Sequence, residues 1–280
     1  MIAKKILKTV GVVALLLVMY AIFQALFTFI AILFAFLLSG NLTSFQECAM
    51  DTMSYGLFAS ALAMLLFIHF TKFFRLRLSI FRSISPKPLA ISTALVFVAM
   101  FALNIFVQWF PLKDNLELQF DGIAHNLVGA FTISFLAPLL EEVMFRGAIQ
   151  GYIMRTFGKP WLAIVVASLV FGIFHWNPVQ VVYATLLGLI FGWIYYRTGS
   201  LLSVIVGHIL NNTIATFTML FLANVDESEI SNSSSGYLYF VVFAVISVVL
   251  AILLHRSLPQ PPSPWHESDV KPSYDDGQAA

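Results

Sequence analysis

The sequence holds a single cysteine, Cys48. No intramolecular disulfide can form, and no metal site built on several cysteines is available. Charge is scarce as well. Asp, Glu, Lys and Arg together make up 10% of the chain, against roughly 25% in soluble domains. No aspartate falls inside any long apolar run. There is no obvious internal repeat, so a transporter built from inverted repeats finds no support in the sequence.

What is abundant is hydrocarbon. Apolar residues account for 60% of the chain, and Phe alone contributes 28. The apolar runs are continuous rather than alternating, which points to helices and not to a β-barrel. In lipid every backbone polar group must be satisfied internally, and a helix does this within its own segment. The expected fold is therefore an all-α polytopic membrane protein with about eight transmembrane helices.

The apolar runs place those helices near residues 9–38, 54–70, 89–110, 137–157, 160–176, 179–196, 200–222 and 237–254. The stretch 122–157 would be ~54 Å long as one helix, too long for one crossing of ~30 Å. Pro138 is expected to break it into a leading segment, 122–136, and a main helix from 137. The Lys-Lys start resembles a signal sequence, but the following run is too long for a cleaved one, so an uncleaved first span is expected. Lys and Arg gather on one set of loops, with only Lys113 outside it, which places both termini in the cytoplasm. Four regions follow: 1–119 with three helices and no recognised motif, 120–222 with the ionisable residues, 223–254 with the last helix, and 255–280. That last region is rich in Pro, Ser and Asp and is expected to be a disordered tail.

Five ionisable residues lie within spans: Glu141, Glu142, Arg146, His175 and His208, with His69 near a span end. Such residues are costly in a membrane and are functional candidates by default. Glu142 and Arg146 are four apart, so they share a helix face and can pair. Glu141 is rotated about 100° away, which leaves it free for general-base work. The plainer alternative is a buried ion pair that only fixes helix packing. His175 closes its span in "FGIFHWNP" and could equally be an interfacial residue wetting a helix end. His208 and Asn212, four apart, could donate two hydrogen bonds to one oxygen, or could serve as polar glue between helices. Taken together, a carboxylate, two histidines and an amide suit water activation with oxyanion stabilisation. They also suit a metal held by Glu141, His175 and His208. Counted from the helix ends at ~1.5 Å per residue, Glu141 lies about 27 Å deep and His208 only about 12 Å. A tilt or a shifted helix must close that gap.

Other intramembrane hydrolytic sites are absent. There is no HExxH, no Gly-x-Ser and no intramembrane Asp for an aspartyl dyad. The ordered set Glu141-Glu142-x-x-x-Arg146, Phe171-x-x-x-His175 and His208-x-x-x-Asn212 resembles the three motifs of the type II CAAX prenyl endopeptidase family. This family is also called the CAAX protease and bacteriocin-processing (CPBP, or Abi) family. The resemblance covers about residues 120–222. It implies an intramembrane endopeptidase in which Glu141 and His175 activate water. His208 and Asn212 would form the oxyanion hole, with Glu142 and Arg146 supporting Glu141. The implied substrate is a prenylated CaaX-type protein or another membrane-associated peptide, met in the bilayer of a bacterial plasma membrane. The family is named among metalloproteases, yet the residues read more simply as a glutamate-dependent site with no cofactor; zinc is the alternative. Non-catalytic readings are a membrane scaffold or regulator, a bacteriocin self-immunity protein, or a proton relay in a transporter. No nucleic-acid partner is implied.

Overall fold

A computed structural model describes residues 2–39, 45–73, 85–222 and 231–258. The expected tail beyond 258 and the basic loop at 74–84 lie outside the described residues. The described chain is helical: α1 (Ile2–Ser39), α2 (Phe45–Phe70), α3 (Pro86–Gln108), α4 (Glu117–Ala124), α5 (Leu127–Phe157), α6 (Pro160–Phe174), α7 (Pro178–Thr198), α8 (Leu201–Phe221) and α9 (Ser234–Ser257). Seven of these helices are long and apolar enough to cross a membrane. The protein is thus a multi-pass integral membrane protein. The sequence led to about eight spans; the difference is α6, whose 15 residues reach only about 22 Å.

Local chemistry sets the helix ends. Asn126 caps α5 by accepting from the Val128 and Gly129 amides. Prolines open α6 and α7, where a missing amide hydrogen costs nothing. Gly158 (φ 62°) and Gly199 (φ 64°) close α5 and α7 in the left-handed conformation.

One expectation is overturned. Pro138 does not break the chain into two helices, for α5 runs unbroken over 31 residues. Two π-helical segments, Thr132–Leu136 and Glu142–Gln150, alternate with α-helical turns along it. The first ends one residue before Pro138, so the widened turn accommodates the ring and the lost donor. A helix of that length, about 46 Å, fits a ~30 Å core only when tilted.

α5 is the centre of the bundle. It packs against α1, α2, α6, α7 and α8. All nine side chains from Glu142 to Gln150 are buried as a result. α9 lies outside, against α3. It is pinned at its start by the Trp109 indole, which donates to the Ser231 carbonyl. Its far end is held by Arg197, which donates to the carbonyls of His255 and Leu258. Cations at a helix C-terminus satisfy orphan carbonyls and oppose the helix dipole. α1 turns most of its apolar surface outward, including Phe29, Phe34 and Leu37. That surface faces lipid in a membrane.

Candidate active site

Glu142 and Arg146 form the buried ion pair expected from their spacing, with Nη1 2.9 Å from Oε1. Both side chains are sealed from solvent, at 0% and 1% exposure. A lone buried guanidinium would be costly, so its remaining donors and its faces matter. Nη2 donates to the Gly188 carbonyl of α7. The cation also lies between two rings, 4.4 Å from the Phe171 centroid and 5.2 Å from that of Phe191. One turn on, Gln150 donates to the Gly192 carbonyl in the same manner. Gly188 and Gly192 are four apart and form a small-residue face along which helices approach closely. A β-carbon at Gly192 would sit 2.9 Å from Gln150 Oε1.

Spacing did not reveal that Glu142 has a second partner. The same Oε1 accepts from His208 Nδ1 at 2.7 Å. A carboxylate oxygen only accepts, so Nδ1 carries the proton. The other ring nitrogen, Nε2, faces Glu141 Oε2 at 3.5 Å. His208 thus stands between the two glutamates and is itself buried. The apparent depth gap between Glu141 and His208 is closed, because a tilted α5 lowers Glu141 toward α8.

His175 is the residue just past α6. Its Nδ1 donates to the Phe171 carbonyl of its own last turn, 2.8 Å away. A carbonyl cannot donate, so a neutral ring keeps its lone pair on Nε2. The corner that follows is held from another segment: Asn177 donates to Asp114 and accepts from the Asn115 amide. Trp176, between them, takes a left-handed φ of 55°. His175 and His208 do not touch directly but flank one ring, at 4.8 Å and 5.9 Å from Phe171.

Asn212 lies one turn beyond His208. It donates to the Ile133 carbonyl in the first π-helical segment of α5. A π-helical turn departs from the ordinary ladder and leaves carbonyls open to such partners. Asn211 donates to Asn212 Oδ1 and accepts from the Tyr183 hydroxyl. An amide has two N–H donors, so Asn212 keeps one beyond the Ile133 bond. Thr216 receives a hydrogen bond from Ser134, which ties the next turn of α8 to α5.

Exposure grades the cluster. Glu142 and Arg146 are sealed, while the Glu141 side chain is 15% exposed. His175 and Asn212 are also partly exposed. The groups open to an incoming molecule are therefore Glu141, His175 and Asn212. The sealed pair holds His208 from behind. Among the described residues no three of His, Cys, Asp and Glu are gathered closely enough to hold a metal ion. The alternative zinc set of Glu141, His175 and His208 does not fit this arrangement: one nitrogen of His208 is taken by Glu142 and one of His175 by a backbone carbonyl.

Residues 123–214 match the family model "Type II CAAX prenyl endopeptidase Rce1-like". The segment is Rce1-like. All six charged and polar residues of the cluster fall inside this Rce1-like segment. The chain is also similar to the Bacillus subtilis (strain 168) protein named "Putative membrane peptidase YdiL". The two are 30% identical over 108 residues, 39% of this chain and 44% of that protein. The alignment thus spans under half the length of the curated relative. No solved structure matches the chain.

The buried guanidinium makes a sharp prediction. Arg146→Lys keeps the charge but loses the fork that reaches Glu142 and Gly188 together, and the planar stacking on Phe171 and Phe191. Stability should fall by about 1–3 kcal/mol. A melting curve in detergent that matches the wild type would show that a point charge is enough.

Proposed function

We propose that the chain is an intramembrane endopeptidase that hydrolyses a peptide bond in a membrane-associated substrate. The observation that carries this reading is the partly exposed Glu141 carboxylate facing a histidine whose other nitrogen is held by a sealed ion pair. That is a base on the open side and a fixed donor system behind it. The Rce1-like match over the same residues supports it.

In this reading, Glu141 and the Nε2 lone pair of His175 orient a water molecule, and Glu141 takes its proton. The water oxygen adds to the carbonyl carbon of the scissile bond. The resulting oxyanion is met by the second N–H of Asn212 and by Nε2–H of His208. An Nε2–H requires the doubly protonated ring, since Nδ1 already carries a proton toward Glu142. The 3.5 Å gap to Glu141 is long for a hydrogen bond and leaves this donor available. Glu141 then returns its proton to the leaving amine nitrogen as the C–N bond breaks. No step needs a metal. The substrate class is a prenylated CaaX-type protein or another membrane-associated peptide. In a bacterial plasma membrane the non-prenylated peptide is the better choice.

The test uses purified protein in detergent or liposomes. The probes are a fluorogenic farnesylated peptide ending in a CaaX sequence and a non-prenylated hydrophobic peptide. Glu141→Gln should slow cleavage by about 100- to 10,000-fold. Equal rates for wild type and Glu141→Gln would remove Glu141 as the base. Activity lost to a chelator and restored by zinc would reinstate a metal. Should a cellular phenotype survive Glu141→Ala, His175→Ala and His208→Ala together, the protein acts as a scaffold or an immunity protein.

A further inference from the structure

The Rce1-like segment begins at residue 123, and α1 lies wholly outside it. Yet α1 reaches the cluster. Its inward stripe is short: Leu16 is fully buried in the core, and Tyr20 and Phe23 pack against that core one and two turns on. Residues four apart share a helix face, so Tyr20 follows Leu16 into the bundle. The Tyr20 ring meets Phe174 edge-on at 4.9 Å. Phe174 is the residue before His175. It is also 5.7 Å from Phe145 of α5, so one aromatic patch joins α1, α5 and the end of α6. At the other end of the ring, the phenol oxygen lies within electrostatic reach of Glu141. The ring is held by packing, and the hydroxyl is carried toward the carboxylate on the open side of the site.

A tyrosine is an unusual choice for such a position if only packing matters. A buried phenol needs a hydrogen-bond partner, and among the described residues no other residue supplies one. Phenylalanine, of which this chain has 28, would fill the same space without that need. We infer that Tyr20 is a positioning residue of the site, its O–H donating to the Glu141 carboxylate directly or through the attacking water. The inference rests on the peptidase reading for its role in catalysis, but not for the Tyr20–Glu141 contact. The bond would hold Glu141 in the rotamer that faces substrate, so its effect is on turnover more than on binding. α1 then has a role in the chemistry although it carries none of the matched motifs.

Two variants separate the hydroxyl from the ring. Tyr20→Phe keeps the contact with Phe174, and Tyr20→Leu removes both. Tyr20→Phe should lower kcat about tenfold, with KM and melting temperature unchanged. Tyr20→Leu should lower melting temperature as well. If Tyr20→Phe matches the wild type and only Tyr20→Leu is impaired, Tyr20 is a packing residue and the inference is wrong. A second measurement does not need activity. Dicyclohexylcarbodiimide modifies carboxyl groups in apolar sites, and labelling of Glu141 can be followed by peptide mass spectrometry. Losing the phenol donor should speed Glu141 labelling in Tyr20→Phe, again about tenfold. If the wild type cleaves neither peptide probe, the peptidase reading fails, and this labelling rate alone decides the contact. Identical labelling in wild type and Tyr20→Phe overturns it.

Discussion

Glu142→Ala should be the most damaging single change in the protein. It leaves Arg146 charged at 1% exposure without its anion, and it leaves His208 Nδ1 without an acceptor. Removing one partner of a buried pair costs about 3–5 kcal/mol, because the other charge stays buried. Here both bonds fall on the same oxygen, Oε1, so a single deletion orphans two donors at once. The expected outcome is poor folding yield, a lowered melting temperature and no cleavage. Arg146→Ala alone should be damaging for the mirror-image reason. Combined with Glu142→Ala, it should recover stability relative to either single variant, since no unpaired charge then remains. Activity should not return with it, because His208 would still lack its anchor. A double variant less stable than both singles would mean that packing around Phe171 and Phe191, and not the charge, dominates the cost.

Gly172→Ala should damage the site from a distance. A β-carbon there would lie 1.9 Å from Thr185 Oγ1 and 2.6 Å from the Val181 carbonyl oxygen of α7. The hydroxyl could be removed, but the carbonyl belongs to the backbone and cannot swing away. α6 and α7 must therefore separate, and the end of α6 carries both Phe171 and His175. Overpacking of this kind costs about 1–3 kcal/mol, with a backbone obstacle favouring the upper part of that range. Adding Thr185→Ala should relieve the first contact and not the second, so rescue should be partial. The measurement is melting temperature and cleavage rate for the single and double variants. Full rescue by Thr185→Ala would show that the helices can part enough at Val181 and that the hydroxyl was the only obstacle.

These two variants mark where sequence reading stops. Composition and unbroken apolar runs suffice for a helical multi-pass protein, because lipid leaves the backbone so few options. The four-residue spacing of Glu142 and Arg146 suffices for their pairing, because helix geometry alone puts them on one face. The six site residues stand out because so few ionisable groups occur within spans. Other features carry no local signature. Pro138 looked like a break, yet α5 passes through it, because π-helical turns in a crowded bundle accommodate what an isolated α-helix would not. His208 and Glu142 are 66 residues apart, and no periodicity links them. The roles of Gly188, Gly192 and Gln150 depend on a neighbouring helix approaching to within hydrogen-bond range. Tyr20 reads as one more aromatic in an oily first span until α1 is laid against Phe174. The residue types with a chemical capacity, and the face of the helix each occupies, are local properties that the sequence determines by itself. Which of them meet, and that one carboxylate oxygen serves both an arginine and a histidine, was decided by the packing of α5 against α7 and α8, because contacts between helices follow from how whole surfaces fit.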